Sequence, residues 1–554
     1  MRASKRRVAA AALVGIVAAG VAVTAALTDS GGDLGPVPQL RRLSEAQYRH
    51  SIADIFGPEI KVSGRFEPDL RVEGLLAAGS TAVSITPSGM EQLEQIARSI
   101  AEQVTGKDHR DRLVGCSPGP DDPSGKDCLH RFYAQVGKQL YRRPLGPSEL
   151  TLAVDRATQA AAQLGDFYQG TAAGLAGMLT SLEFLFQVDD VKTSSFGGRE
   201  LTGWSKATRL SYFLWNTTPD AELLAAAERG DLGSSSGLRR QVDRMIASPL
   251  IEQGVRAFFD DFLNLDLLEG LSKDGQIFPA FVAQVAGDAR EQTLRTIVDL
   301  TIAQNGDYRD IFTTRRMAIN RVLGPLYRIP VRGQGWSIHE FPAEDQRAGL
   351  LTQVAFLAGH SHPGRTSPTL RGKAIRELLM CETVPMPPAN VNFTIVQDVS
   401  NPVLRTTRAR LQAHSTDPTC AGCHRVVDPI GLALEHFDGA GQYRAKENGE
   451  AIDASAMLSG VSVAGAVELG RVLHDDPAVP KCLVRSAFRY AVGRAVQPGE
   501  ETALEKLQSD FAANGYRFAD LMRAIATSRA FYAPGAPAPA APAASTVEKG
   551  NADG

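Results

Sequence analysis

WSKATRLSYFLW, residues 204–215, is the stretch whose spacing decides the fold class. Ala207, Leu210, Phe213 and Leu214 recur at the three- and four-residue intervals of a helix face, not the two-residue interval of a strand. The same period continues in both directions. Upstream, LRRLSEAQYRHSIADIFG (residues 40–57) offers Ser44 as an N-cap. Tyr48, Ile52, Ile55 and Phe56 then follow at helical spacing, and Gly57-Pro58 is the stop. Residues 90–104, 130–140 and 150–164 are further helical stretches, with Pro144 as a breaker and a helix start near Pro147-Ser148. Downstream the pattern returns at 221–228, 238–246, 251–262, 281–302, 370–380, 404–414, 481–492, 503–512 and 517–528. Residues 443–453 break it. They flank Asn448-Gly449, a strong two-residue hairpin turn. The expected fold is mostly α, a multi-domain helical protein with one small hairpin late in the chain.

The chemistry concentrates in Cys420-Ala421-Gly422-Cys423-His424, a C-x-x-C-H pattern. This spacing is that of a c-type haem attachment site: two thiols add to the haem vinyl groups and the adjacent histidine reaches the iron. With six cysteines and ten histidines in 554 residues, the pattern is specific. Two other readings compete, a disulfide or redox pair with His424 as bystander, and half of a zinc site. No second C-x-x-C or H-x-x-x-H stands nearby to complete zinc. One covalently attached haem c is therefore the expected cofactor, with His424 proximal. Met457, 33 residues on, is the candidate sixth ligand, with His436 behind it. Arg425 and Arg444 are candidate partners of the haem carboxylates. Asp428-Pro429 reads as the N-cap and first residue of a helix over 430–437. His360 and His362 on a loop could face one way toward a metal, although such a pair is more often structural. Nucleophile-elbow, P-loop and dinucleotide signatures are missing, so no catalytic residues are assigned.

The N-terminus points to export. Arg2, Lys5, Arg6 and Arg7 precede an uncharged Ala/Val-rich run over 8–27, read as a signal peptide or an uncleaved N-terminal anchor. Membrane contact is expected only there, and the location is the periplasm or the outer face of the inner membrane. Of the remaining cysteines, Cys116 and Cys128 flank a Pro/Gly/Asp-rich loop that a local disulfide would close. Cys381 and Cys482 are then left, either as a pair tying the ends of the haem region or as buried thiols. A net charge of −3 with 22% charged residues gives no nucleic-acid footprint.

Helical stretches and linkers divide the chain into a segment 1–30 (signal or anchor) and helical domains at 31–110, 111–198 (with YRRPL) and 199–330 (with TRLSYFLW). A cytochrome-like domain follows at 344–445, a C-terminal helical domain at 446–532 and an Ala/Pro-rich disordered tail at 533–554.

Six landmarks carry a family resemblance: RRLSEAQYRHSIADIFG (41–57), FYAQVGKQLYRRPL (132–145), ATRLSYFLWNTTPDAELL (207–224), RTSPTLRGKAIRELLMCETVPMPPANV (365–391), DPTCAGCHRVVDPIGLALEHFDGAGQYR (417–444) and CLVRSAFRYAVGR (482–494). In content and order they resemble the exported planctomycete-type cytochrome c-associated proteins, built of consecutive domains of unknown function. The resemblance implies a redox or electron-transfer role at the cell envelope. The partner would be an envelope redox protein or a gene-neighbour exported protein, and a polymer is a candidate substrate. Many relatives carry a further N-terminal C-x-x-C-H; this chain has none before Leu40, so one haem is expected. A haem enzyme of peroxidase or oxidase type, with an open sixth position, is the alternative. So is a haem-free envelope protein with a Cys420–Cys423 disulfide.

Overall fold

The computed structural model describes residues 39–193, 199–386 and 394–534. The expected export segment lies outside them, as does the tail beyond residue 534. The described chain is 56% helical, and its strands form only two-stranded sheets.

Local chemistry accounts for the helices. Ser44 caps Glu45–Phe56 in a capping box with Gln47, and Gly57 ends it at φ 105°. Pro147 opens Pro147–Leu164 as its first residue. The quoted stretch forms Gly203–Leu214, capped by Thr202. Phe167–Leu179 is not among the helical stretches read from the sequence; on propensity alone its glycines disfavour a helix. Tertiary packing reverses their sense. A Cβ on Gly170 would stand 2.5 Å from the Ala157 carbonyl, so glycine lets this helix lie directly on Pro147–Leu164.

Two apolar cores result. One runs from Tyr48 to Phe186, and the other from Ala207 to Phe531 without a break at the sequence divisions near 330–344 and 445. Buried polar contacts join them. Arg209 pairs with Asp189 (Nη2–Oδ2 2.5 Å) and also donates to the carbonyl of Phe531, while Arg41 donates to the Ala491 carbonyl at 3.2 Å.

The Asn448-Gly449 turn joins Lys446–Glu447 to Glu450–Ala451, with φ of 47° and 85° at the two turn residues, as a two-residue hairpin requires. A second hairpin, Ala456–Leu458 with Val461–Val463, follows it and carries Met457. Cys116–Cys128 and Cys381–Cys482 are both disulfides.

Candidate functional site

The C-x-x-C-H residues do not sit on a turn before a helix. They lie within one continuous helix, Pro418–Leu432, in which Pro429 is an interior residue. That corrects the expected helix start at Asp428. An interior proline leaves the Arg425 carbonyl without its helical donor, and Arg425 is solvent-exposed, where water can replace it. Helical geometry then sets the site. Cys420, Cys423, His424 and Val427 stand at i, i+3, i+4 and i+7, a single face. Asp428 falls one turn after His424, and instead of capping a helix it accepts from His424 Nδ1 at 2.7 Å. Thr369 Oγ1 donates to the other Asp428 oxygen at 2.8 Å. With Nδ1–H directed at a carboxylate, Nε2 keeps its lone pair.

Close backbone packing holds this helix. Pro368–Ala374 lies against it with a glycine on each side: a Cβ on Gly372 would stand 1.9 Å from the Val427 carbonyl, and one on Gly431 1.8 Å from the Pro368 carbonyl. Arg371, fully buried in the first of these helices, donates to the carbonyls of Leu434 (3.1 Å), Phe437 (2.9 Å) and Asp438 (2.7 Å), fixing the chain that leaves the second.

Beneath the Cys/His face lies a predominantly apolar cavity of about 360 Å³, within the range of small-molecule and cofactor pockets. Its other walls come from His362 and residues 365–370, from Val384 and Pro385, and from Leu411 and His414. Cys420 and Cys423 are free thiols. Burial pushes both above the ordinary cysteine value, with Asp417 adding to the effect at Cys420 and Asp428 at Cys423. Burial, with Arg365 and Lys273 nearby, lowers His362 below the ordinary histidine value. Arg365 lines the cavity with no acidic partner among the described residues, and burial beside Arg410 lowers its pKa. Among the described residues no group of three or more His, Cys, Asp or Glu is arranged to hold a metal ion.

The other expected site residues stand elsewhere. Arg425 is exposed and donates to the Ala421 carbonyl. Arg444 pairs with buried Glu435 at 2.8 Å. Met457 is 60% exposed on its hairpin, and His436 is bonded through Nδ1 to the Arg444 carbonyl at 3.0 Å. None of the four lines the cavity. His360 and His362 do not face one way. His360 turns onto the ring and carbonyl of Phe356, and only His362 reaches the cavity. Sequence reasoning missed Asp428 as the partner of His424, although the i, i+4 spacing was available. Nothing local marks Arg365 or His414.

Four family models match the chain in order, each described as a protein of unknown function. They are DUF1587 over residues 41–106, DUF1592 over 201–329, DUF1588 over 347–447 and DUF1585 over 459–531. The DUF1588 match, labelled PSCyt3, contains the whole C-x-x-C-H helix. The chain belongs to these planctomycete cytochrome-type families. All the described residues that line the cavity belong to the PSCyt3 segment, and the PSD segments surround it in sequence. No curated protein and no solved structure matches the chain. Among the described residues no helix is long and apolar enough to cross a membrane.

Proposed function

We propose that the protein is an exported c-type haem protein that transfers electrons at the cell envelope. The observation that carries this reading is the cavity itself: two free thiols and a carboxylate-backed histidine share one helix face over an apolar space of cofactor size.

The residues fit the group. Cys420 and Cys423 would hold a haem through thioether bonds, and His424 would offer Nε2 to the iron. Asp428 fixes the orientation of the His424 ring, and Thr369 in turn fixes Asp428. Arg365 lines the cavity with no acidic partner among the described residues and would meet a haem carboxylate there; Arg444 is already engaged by Glu435. The apolar walls would pack against the macrocycle and limit its contact with water. Bound there, haem supplies a one-electron iron couple. Two disulfides agree with an oxidising compartment, such as the periplasm. The proposed partner is an exported redox protein.

Expression with a cytochrome c maturation system, followed by a haem assay on the denatured protein, tests this. The wild type is expected to carry one covalent haem, and Cys420→Ala/Cys423→Ala none. Covalent haem retained in the double variant, or lacking from the wild type, would refute the reading.

A further inference from the structure

Resting on the haem reading, we propose that His362 is the second axial ligand of the iron, which makes the site a bis-histidine electron-transfer centre. Beyond the C-x-x-C-H residues, the cavity-lining side chains with a metal-ligating atom are His362, His414 and Lys373. Among the described residues no methionine lines it, and residues 387–393, PPANVNF, contain no histidine, methionine or lysine. Lys373 is paired with Glu377 at 3.7 Å. His414 packs edge-on against His424, with ring centres 4.9 Å apart. Rings in van der Waals contact leave no room for a metal between them. His362 belongs to a different segment, the loop before Pro368–Ala374, and lines the same cavity as His424.

The loop that presents His362 is held as a ligand loop would have to be. Lys273, itself buried, donates to the carbonyls of Ala358 (2.8 Å), Ser361 (3.0 Å) and His362 (3.1 Å). Arg371 donates to Ser361 Oγ at 3.1 Å and to the Leu357 carbonyl at 3.2 Å, and Ser361 Oγ donates to the Leu357 carbonyl at 2.7 Å. Two buried cations therefore fix residues 357–362, the segment that ends in this half-buried imidazole. Ligands fixed by surrounding hydrogen bonds in this way are the ones that set a metal site. Two histidines leave no open coordination position for peroxide, and they favour a lower potential than a histidine–methionine pair.

The test uses the full chain matured with haem. Covalent haem is measured first, because its absence overturns the functional reading, and the ligand assignment with it. With haem present, the oxidised wild type is expected to be low-spin, to lack a methionine–iron charge-transfer band, and to be unchanged by Met457→Ala. His362→Ala is expected to lose the low-spin spectrum and regain it when imidazole is added. A wild type that is high-spin or shows the methionine–iron band overturns the proposal without any variant. So does a low-spin spectrum that survives in His362→Ala, or one lost in His414→Ala but not in His362→Ala. Should His362→Ala not fold, His362→Met retains a ligand, and the appearance of a methionine–iron band in it supports the assignment; an unchanged bis-histidine spectrum overturns it.

Discussion

At the scale of single residues, buried charge in this protein serves geometry. Lys273 stands 8% exposed, with its ammonium spent on three loop carbonyls. Burial, together with the nearby Arg371 guanidinium, lowers its pKa from 10.5 to about 8. Between those values the unfolded chain holds a proton that the folded chain has released. Stability from this group therefore rises as pH is raised from about 8 to 10.5, because the unfolded state binds more protons there. Denaturant unfolding across this window is expected to show a more positive pH slope for the wild type than for Lys273→Met. Equal slopes would contradict the depressed value.

At the scale of elements, the contact between Pro368–Ala374 and Pro418–Leu432 is the one on which the site depends. Two backbones meet there with no space for a methyl group at Gly372 or Gly431. Gly431→Ala places a Cβ against the Pro368 carbonyl, which cannot swing aside as a side-chain end could. The expected cost is about 1–3 kcal/mol, the usual range for overpacking, read as a lower denaturant midpoint. Gly422→Ala on the same helix meets nothing within 4 Å and is the control. If the two variants unfold alike, the close approach is not what holds the helix. The C-x-x-C-H spacing grouped the two thiols with the histidine, but the helix start expected at Asp428 was an error of local grammar. Asp-Pro is a common helix start, and nothing in sequence shows that the neighbouring helix will keep the chain helical through the proline.

At the scale of the molecule, a long-range tie closes the C-x-x-C-H region. Cys381–Cys482 spans 101 residues and brackets the C-x-x-C-H helix, whereas Cys116–Cys128 spans 12. Chain entropy makes the longer loop the more costly to open, at about 4.7 kcal/mol against about 3 kcal/mol for a short one. Cys381→Ser/Cys482→Ser is therefore expected to lower the unfolding free energy by more than Cys116→Ser/Cys128→Ser does. The reverse order would mean that the unfolded region between 381 and 482 is already constrained.

The sequence alone determined the helical class, the Asn448-Gly449 hairpin and the grouping of Cys420, Cys423 and His424 on one face, because period, capping and turn chemistry act within a few residues. Only the tertiary structure decided what that face meets. Thr369 behind Asp428, Arg365 and His362 at the cavity, and the outward position of Met457 all depend on how distant segments pack. Contacts between residues dozens of positions apart leave no local periodicity to read. They are fixed by which helices can approach closely enough, here at Gly372 and Gly431, to enclose a common space.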